Sequence, residues 1–354
     1  MDLVWWQEIA GEAGAVALAG LLVGLVFGWA AQRSRFCLRA AVVEFAQGTF
    51  GPRLSVWLLT FSTALFWTQG LVALGLLDLG ESRWLAQPGS ISGAILGGLI
   101  FGAGMVLARG CPGRLLVLAA TGNLRALLSG LVFAVIAQMT LRGVLSPLRA
   151  ELAQALVTEG PNPEITAMLG FGQWAGLALG ATAALAALVI ARRNRVSART
   201  LVFGSGVGFA AVLGWVLTYQ LSLSSFEPVA VESLTFSGPA ADMLMFFLLP
   251  DQGLDFDVGL ISGVAAGAFL AATLGHELKW QGWQGARSMR RYLTGAGMMG
   301  FGAMLAGGCS IGAGVTGGST LALTAWIALT AMWTGGAATD LLVDRGQRAA
   351  GIAA

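Results

Sequence analysis

Long apolar stretches recur along almost the entire chain. Each is close to the roughly 20 residues that an α-helix needs to cross the hydrocarbon core of a bilayer. Lipid cannot satisfy free backbone N–H and C=O groups, so a chain of this kind must be helical where it meets lipid. The pattern predicts an all-α polytopic membrane protein. Its nine predicted spans are 12–31, 55–78, 91–108, 126–143, 169–190, 200–221, 257–276, 292–306 and 321–338.

Two shorter segments, 110–123 and 307–320, are too polar or too rich in glycine to face lipid. Irregular backbone is tolerated at membrane depth only where it is buried in protein or lines a cavity. We therefore expect these segments inside the protein, as re-entrant loops with short helices. Each follows a Gly-rich span and contains one cysteine.

The two Gly-rich spans and the cysteines that end them are copies of one motif. Gly97–Cys111 and Gly295–Cys309 align at an offset of 198 residues, and seven of the fifteen positions are identical. The copies belong to the third and eighth predicted spans, so they run in opposite directions. Inverted repeats are typical of secondary transporters, whose sites lie near the bilayer midplane at broken helices. We predict one membrane domain, 1–354, with repeated halves at about 12–150 and 200–340.

Charged residues make up only 11% of the chain, and the basic ones are sorted by position. With the N-terminus outside, every Lys and Arg except Arg83, Arg142 and Arg149 falls on the cytoplasmic side, as the positive-inside rule requires. No basic residue precedes the first apolar segment, so we interpret it as a retained span and not a signal peptide. We expect a multi-pass bacterial inner-membrane protein with a periplasmic N-terminus and a cytoplasmic C-terminus. The net charge of +2 does not indicate a nucleic-acid partner.

Three cysteines and one histidine restrict the chemistry that the chain can carry. Cys37, Cys111 and Cys309 are odd in number, and they form neither a CxxC pair nor a zinc spacing with His276. We expect no disulfide framework, no metal, no cofactor and no His-based triad. An uncharged thiol is a soft, weak hydrogen-bond donor, which matches a soft sulfur ligand better than a hydrated cation.

The residues around the repeated cysteines predict an anion site. Pro112 follows Cys111 and suits the first turn of a new helix, and the surrounding glycines permit close approach to the backbone. A helix N-terminus offers free N–H groups and partial positive charge to an anion. We expect each repeated cysteine to lie where a spanning segment ends and a short helix begins.

Four stretches carry a more specific signal. They are Gln32-Arg33-Ser34-Arg35-Phe36-Cys37, Arg109-Gly110-Cys111-Pro112 with Gly122-Asn123-Leu124, Glu232-Ser233-Leu234-Thr235-Phe236-Ser237-Gly238-Pro239, and Gly307-Gly308-Cys309-Ser310-Ile311-Gly312-Ala313-Gly314. Together they resemble the YeeE/YedE family of thiosulfate transporters over nearly the whole chain. The resemblance implies an hourglass-shaped helical fold with pseudo-twofold repeats. It also implies that thiosulfate passes through S–H···S contacts, with Cys111 and Cys309 at the centre and Cys37 nearer the cytoplasm.

The combined prediction is a thiosulfate uptake protein and not an enzyme, whose partners are the thiosulfate ion and the lipid bilayer. The resemblance further implies a cytoplasmic TusA-type sulfur-carrier protein as a partner. Arg109 departs from the Gly-Gly-Cys that is common in the family. The residues predicted to line the path are Cys37, Cys111, Cys309, Gly110, Gly308, Gly113, Ser310, Arg109 and Arg114.

Other functions stay open at this point. The protein could carry another sulfur or selenium compound, or it could be a thiol-dependent membrane sulfurtransferase. The enzyme needs an activated thiolate beside a base or cation, and Cys309 has no basic residue within fifteen positions on either side. A purely structural subunit would leave the two symmetric Cys loops unexplained.

Overall fold

The computed structural model describes residues 4–344, except 173, 227, 251 and 284. Within these ranges the chain is helical and contains no β-strand, only isolated bridges. In chain order the α-helices are α1 (Val4–Ser34), α2 (Leu38–Ala46), α3 (Pro52–Ala73), α4 (Arg83–Ala86), α5 (Ile91–Leu107), α6 (Pro112–Ala120), α7 (Leu124–Leu141), α8 (Ser146–Gln154), α9 (Ile165–Met168), α10 (Ala175–Arg193), α11 (Ala198–Ser224), α12 (Gly238–Leu248), α13 (Phe256–Leu274), α14 (Ala286–Leu305) and α15 (Leu323–Thr339). Two π-helices cover Gly312–Gly317 and Asp340–Asp344.

Each of the nine predicted spans coincides with one helix, and the prediction of an all-α polytopic membrane protein is confirmed. Seven helical segments in the described part of the chain are long and apolar enough to cross a membrane. The other two predicted spans correspond to α14 and α15. Three arginines near the start of α14 lower its hydropathy, and α15 has only 17 residues.

Two predicted spans run well past an end of the observed helix, because glycines in the left-handed region interrupt the helical backbone there. The fifth span was predicted from residue 169, but α10 begins at Ala175. Gly170 has φ 69° and separates α10 from the short helix α9. The second span was predicted to reach residue 78, but α3 ends at Ala73, and Gly75 has φ 68°. Left-handed backbone after a helix is a common stop signal, and glycine adopts it without a Cβ clash.

The backbones of α5 and α14 touch directly at the centre of the molecule. Four of the glycines in this contact face each other in two pairs, with one member of each pair on each helix. A Cβ added to Gly104 would lie 2.6 Å from the carbonyl oxygen of Gly295, and a Cβ added to Gly295 would lie 2.6 Å from the carbonyl oxygen of Gly104. A Cβ added to Gly97 would lie 2.6 Å from the carbonyl oxygen of Gly302, and a Cβ added to Gly302 would lie 2.7 Å from the carbonyl oxygen of Gly97. Small residues permit this approach between membrane helices, so the repeated glycines have a packing role.

The remaining helices contact one another in matching pairs around α5 and α14. Helix α15 packs on α5 as α7 packs on α14, and α1 packs on α13 as α11 packs on α3. Helix α6 lies against α7 and α13, as the π-helix Gly312–Gly317 lies against α15 and α3. Helix α10 packs on α3 outside this pattern. Inverted repeats produce matched contacts of this kind; the two halves, about 12–150 and 200–340, stay a prediction.

The glycine contact predicts opposite effects for two alanine substitutions in the same helix. Gly302→Ala would place a Cβ 2.6 Å from the backbone nitrogen of Phe101. Helices α5 and α14 must then separate, and we expect a loss of stability of about 1–3 kcal/mol. Gly297→Ala is the matched control, since the nearest atom to its Cβ would be 3.9 Å away on Ile136. Alanine favours helix over glycine, so this control should be at least as stable as the parent.

Thermal unfolding in detergent, followed by size-exclusion chromatography of the fraction that survives heating, measures both effects. Equal melting temperatures for Gly302→Ala and Gly297→Ala would contradict a backbone contact between α5 and α14.

Candidate functional site

The two repeated cysteines lie in the interior of the protein, and both side chains have 0% exposure. Cys111 directly precedes α6, and Pro112 occupies the first turn of that helix, as its sequence predicts. Cys309 follows α14, but the next helix is the wider π-helix, which begins only at Gly312. The predicted short helix directly after the cysteine therefore occurs in the first loop, and the second loop departs from it.

Backbone donors converge on the thiol of Cys309. Its Sγ atom accepts hydrogen bonds from the N–H groups of Phe236 and Gly312, each at 3.4 Å. Phe236 lies between α11 and α12, so a third part of the chain reaches this cysteine. A Cβ on Gly312 would lie 2.4 Å from the Thr235 hydroxyl oxygen. Only glycine therefore fits between Thr235 and Cys309.

The surroundings of Cys111 are similar. Arg114 is three residues after Cys111, and its backbone N–H approaches the Cys111 thiol. Gly312 is likewise three residues after Cys309, and its N–H approaches the Cys309 thiol. Ser310 reaches Cys111 from the opposite loop, and Cys111 is within electrostatic range of both Cys37 and Cys309. The Ser310 hydroxyl is buried and lacks a hydrogen bond of good geometry to any described residue.

Gly113 and Gly308 hold these loops close to their neighbours. A Cβ on Gly113 would lie 2.9 Å from Ile311 and 3.1 Å from the ring of Phe236. The first turn of α6 therefore touches the loop that carries Cys309. A Cβ on Gly308 would lie 3.1 Å from Trp84, whereas one on Gly110 would meet only ordinary contacts at 3.4 Å or more.

A cavity of about 510 Å³ opens on one side of the buried thiols. We call it the Cys37 cavity, because Cys37, the residue before α2, lines it. Arg114 reaches it from α6, and its buried Nη1 atom has no hydrogen-bond partner among the described residues. The other charged groups in its lining are Arg35, Arg53, Glu277 and Lys279.

Glu277 is the only carboxylate of the described lining of the Cys37 cavity, and it is already engaged. It accepts a hydrogen bond from Gln32 at 2.8 Å and forms an ion pair with Arg35 at 3.8 Å. Arg53, Arg114 and Lys279 make no ion pair with a described carboxylate. The Cys37 cavity is therefore electropositive.

A second cavity of about 490 Å³ opens on the other side. We call it the Ser237 cavity, because Ser237 and Thr235 line it near Cys309. Its lining is richer in carboxylates than that of the Cys37 cavity. The charged groups in it are Arg83, Arg149, Glu232, Asp242 and Asp257. Among the described residues, no group of three His, Cys, Asp or Glu is arranged to hold a metal ion.

Glu232 lies in the loop between α11 and α12, outside the spanning helices. Burial raises the pKa of its carboxyl to about 7, and the charges of Asp255 and Asp242 act in the same direction. The guanidinium of Arg83 partly offsets this increase. Burial disfavours the charged form of a carboxyl, so this group changes charge near neutral pH.

Arg109 lies apart from the residues that line either cavity. Its guanidinium is 6.0 Å from the ring centroid of Tyr292, which is a cation–π arrangement. Its backbone is left-handed, with φ 58°, and Gly307 at the equivalent place in the repeat has φ 77°. An arginine in one repeat thus adopts the same unusual backbone conformation as the glycine of the other repeat.

Sequence reasoning missed Arg53, Thr235 and Ser237 as cavity residues. Arg53 follows Pro52 at the start of α3, and in the sequence it is one of many arginines assigned to the cytoplasmic side of the membrane. The signal for Ser237 is that Phe36-Cys37 and Phe236-Ser237 share one pattern. Two residues are too short a repeat to stand out without the helices on either side.

Comparisons with known proteins identify the family of the chain. A family model described as sulphur transport matches residues 33–338. The thiosulfate transporter TsuA of Escherichia coli (strain K12) is 28% identical over 371 residues, which cover 96% of this chain and 98% of that protein. The thiosulfate transporter TsuA of Spirochaeta thermophila is 29% identical over 330 residues, which cover 87% and 93%. Because the family model spans most of its length, the chain belongs to the sulphur-transport family, which confirms its resemblance to the YeeE/YedE transporters.

Proposed function

We propose that the protein takes up thiosulfate across the bacterial inner membrane, along a path through the thiols of Cys37, Cys111 and Cys309. The observation that carries the proposal is the pair of buried loops, each with one cysteine, between two open cavities. Family membership and the names of both TsuA relatives support the same substrate. These relatives are transporters, which argues against a sulfurtransferase.

The thiols suit thiosulfate because this anion has a soft terminal sulfur. The Sγ atom of Cys309 already accepts two backbone N–H groups, so its own S–H proton is available to donate to a substrate. Thiols are weak donors, and conduction requires binding that is loose enough for release. Uncharged thiols also avoid repelling an anion. The path therefore conducts through several weak contacts and has no single tight site.

Arg114 supplies the charge that this mechanism needs. Its buried Nη1 atom has no partner among the described residues and belongs to the lining of the Cys37 cavity. A buried donor atom without a partner is costly, and an anion on the path would relieve that cost. We infer that Arg114 holds the anion after it leaves Cys111 and before it reaches Cys37.

We assign the Cys37 cavity to the cytoplasm, with the N-terminus periplasmic and the C-terminus cytoplasmic. The positive-inside rule supports this orientation, since Arg35, Arg53 and Arg114 gather at that cavity. A TusA-type carrier protein would then receive the substrate at its mouth. We further propose that residues 12–150 and 200–340 form inverted halves, which the matched helix contacts support.

Replacing either central thiol should stop transport. We expect Cys111→Ser and Cys309→Ser each to lower the uptake of ³⁵S-thiosulfate at least about tenfold, the equivalent of 1.4 kcal/mol. The serine hydroxyl still donates a hydrogen bond, but it lacks the soft, polarizable sulfur that suits the sulfur of the substrate. The measurement is growth of a thiosulfate-import-deficient strain on thiosulfate as sole sulfur source, together with initial uptake rates. Thr182→Val is a control, since Thr182 is exposed and its hydroxyl donates to the Leu179 carbonyl of its own helix.

Parent-like uptake in both cysteine variants, at equal amounts in the membrane, would reject the thiol path even if the protein transports thiosulfate.

The charge of Glu232 predicts a pH dependence. Its carboxyl, with a pKa raised to about 7 by burial, is ionised above that pH and repels an anion in the Ser237 cavity. Uptake should therefore rise as the pH falls from about 8 to about 6. Over this range the Glu232 carboxyl changes from about 90% ionised to about 90% protonated. Glu232→Gln should hold uptake near the low-pH value of the parent throughout.

The assay uses proteoliposomes with equal pH on both sides, so that no proton gradient contributes. A parent profile that is flat, or that Glu232→Gln leaves unchanged, would show that this carboxyl does not act on the anion.

A further inference from the structure

Ser237 and Cys37 occupy equivalent positions in two different parts of the fold. Each follows a buried phenylalanine, Phe36 or Phe236, with 3% and 1% exposure. Cys37 immediately precedes the short helix α2, and Ser237 immediately precedes the short helix α12. Cys37 lines one cavity and Ser237 lines the other. The two ends of the path therefore present a thiol and a hydroxyl at equivalent positions.

A second hydroxyl stands beside Ser237. The oxygens of Thr235 and Ser237 are 3.2 Å apart and share one hydrogen bond. Each hydroxyl has one proton to donate, so this bond uses one proton and leaves the other available. Thr235 is 6% exposed and Ser237 is 2% exposed, and both line the Ser237 cavity. The pair thus forms a fixed donor that faces open space.

This pair adjoins the thiol of Cys309. The N–H group between the two hydroxyls belongs to Phe236, and it donates to Cys309 Sγ at 3.4 Å. The Thr235 oxygen also lies directly over Gly312, the other residue that donates to this sulfur. A small anion near Cys309 would therefore meet a soft S–H group and a hard O–H group together.

We propose that Thr235 and Ser237 form a binding site for the sulfonate oxygens of an anion that also carries a soft sulfur. Oxygen atoms accept hydrogen bonds from hydroxyls better than from thiols, and the terminal sulfur faces Cys309. Glu232, Asp242 and Asp257 line the same cavity beside Arg83 and Arg149, and the two hydroxyls add hydrogen-bond donors that carry no charge of their own. The site rests on the proposed function, and it predicts a preference for anions that combine oxygen and soft sulfur.

Two substitutions at Thr235 and two at Ser237 test the site; at each position one removes the hydroxyl and the other keeps a hydrogen-bond donor. In proteoliposomes that hold purified full-length protein, Thr235→Val and Ser237→Ala should each raise the KM for ³⁵S-thiosulfate about tenfold and change the maximal rate less. Thr235→Ser keeps the hydroxyl and should keep the KM of the parent. Ser237→Cys keeps a weaker donor and should give an intermediate KM. Thr182→Val, on the exposed face of α10, should match the parent.

The outcomes separate this site from the function on which it rests. A parent that takes up no thiosulfate would overturn the proposed function and this site with it. An active parent with an unchanged KM in Thr235→Val and Ser237→Ala would overturn the site alone. A merely structural role would lower the melting temperature and the maximal rate of Thr235→Val without raising its KM, and that result also rejects the site.

Discussion

The direct contact between the backbones of α5 and α14 is the constraint on which the rest of the structure depends. Each helix ends a few residues before one cysteine, so the crossing of the two helices sets where both Cys loops begin. The glycines at the crossing leave no room for side chains. Side chains of ordinary size would separate the helices and, with them, the first turn of α6 and the loop of Cys309.

The loops that meet beyond this crossing gain their properties from burial. Inside a protein a hydrogen bond is electrostatically stronger than in water, and an unpaired polar group is correspondingly costly. Cys309 is satisfied by two backbone N–H groups, whereas Ser310 and the Nη1 atom of Arg114 are not. The interior is therefore incompletely paired at the places where an anion would pass, and well paired where the loops must keep their shape.

Much of this could be predicted from sequence because the governing signals are local. Apolar length identified nine of the fifteen α-helices, and Pro112 located the start of α6 next to Cys111. The repeat of glycines identified the central helices because spacing along a helix determines which residues share a face. The boundaries near residues 78 and 169 were missed because single glycines with positive φ ended the helices within apolar sequence.

The Ser237 cavity was not predictable in the same way. Thr235 and Ser237 are separated from Cys309 by more than seventy residues, and only packing of the segment just before α12 brings them together. Likewise, no local feature distinguished Arg109, which turns toward Tyr292, from Arg114, which turns toward the Cys37 cavity. Direction of a side chain depends on tertiary contacts that a motif does not encode.

The unequal charge of the two cavities has a kinetic consequence for a carrier that moves anions. An anion is held longer where the walls are basic and passes more quickly where they are acidic, and at physiological salt such attraction extends over about 8 Å. On the proposed path, departure from the Cys37 cavity is then expected to be slower than departure from the Ser237 cavity. A protein that removes the anion at that mouth would accelerate the whole cycle, whereas raising the supply on the opposite side would soon have no effect.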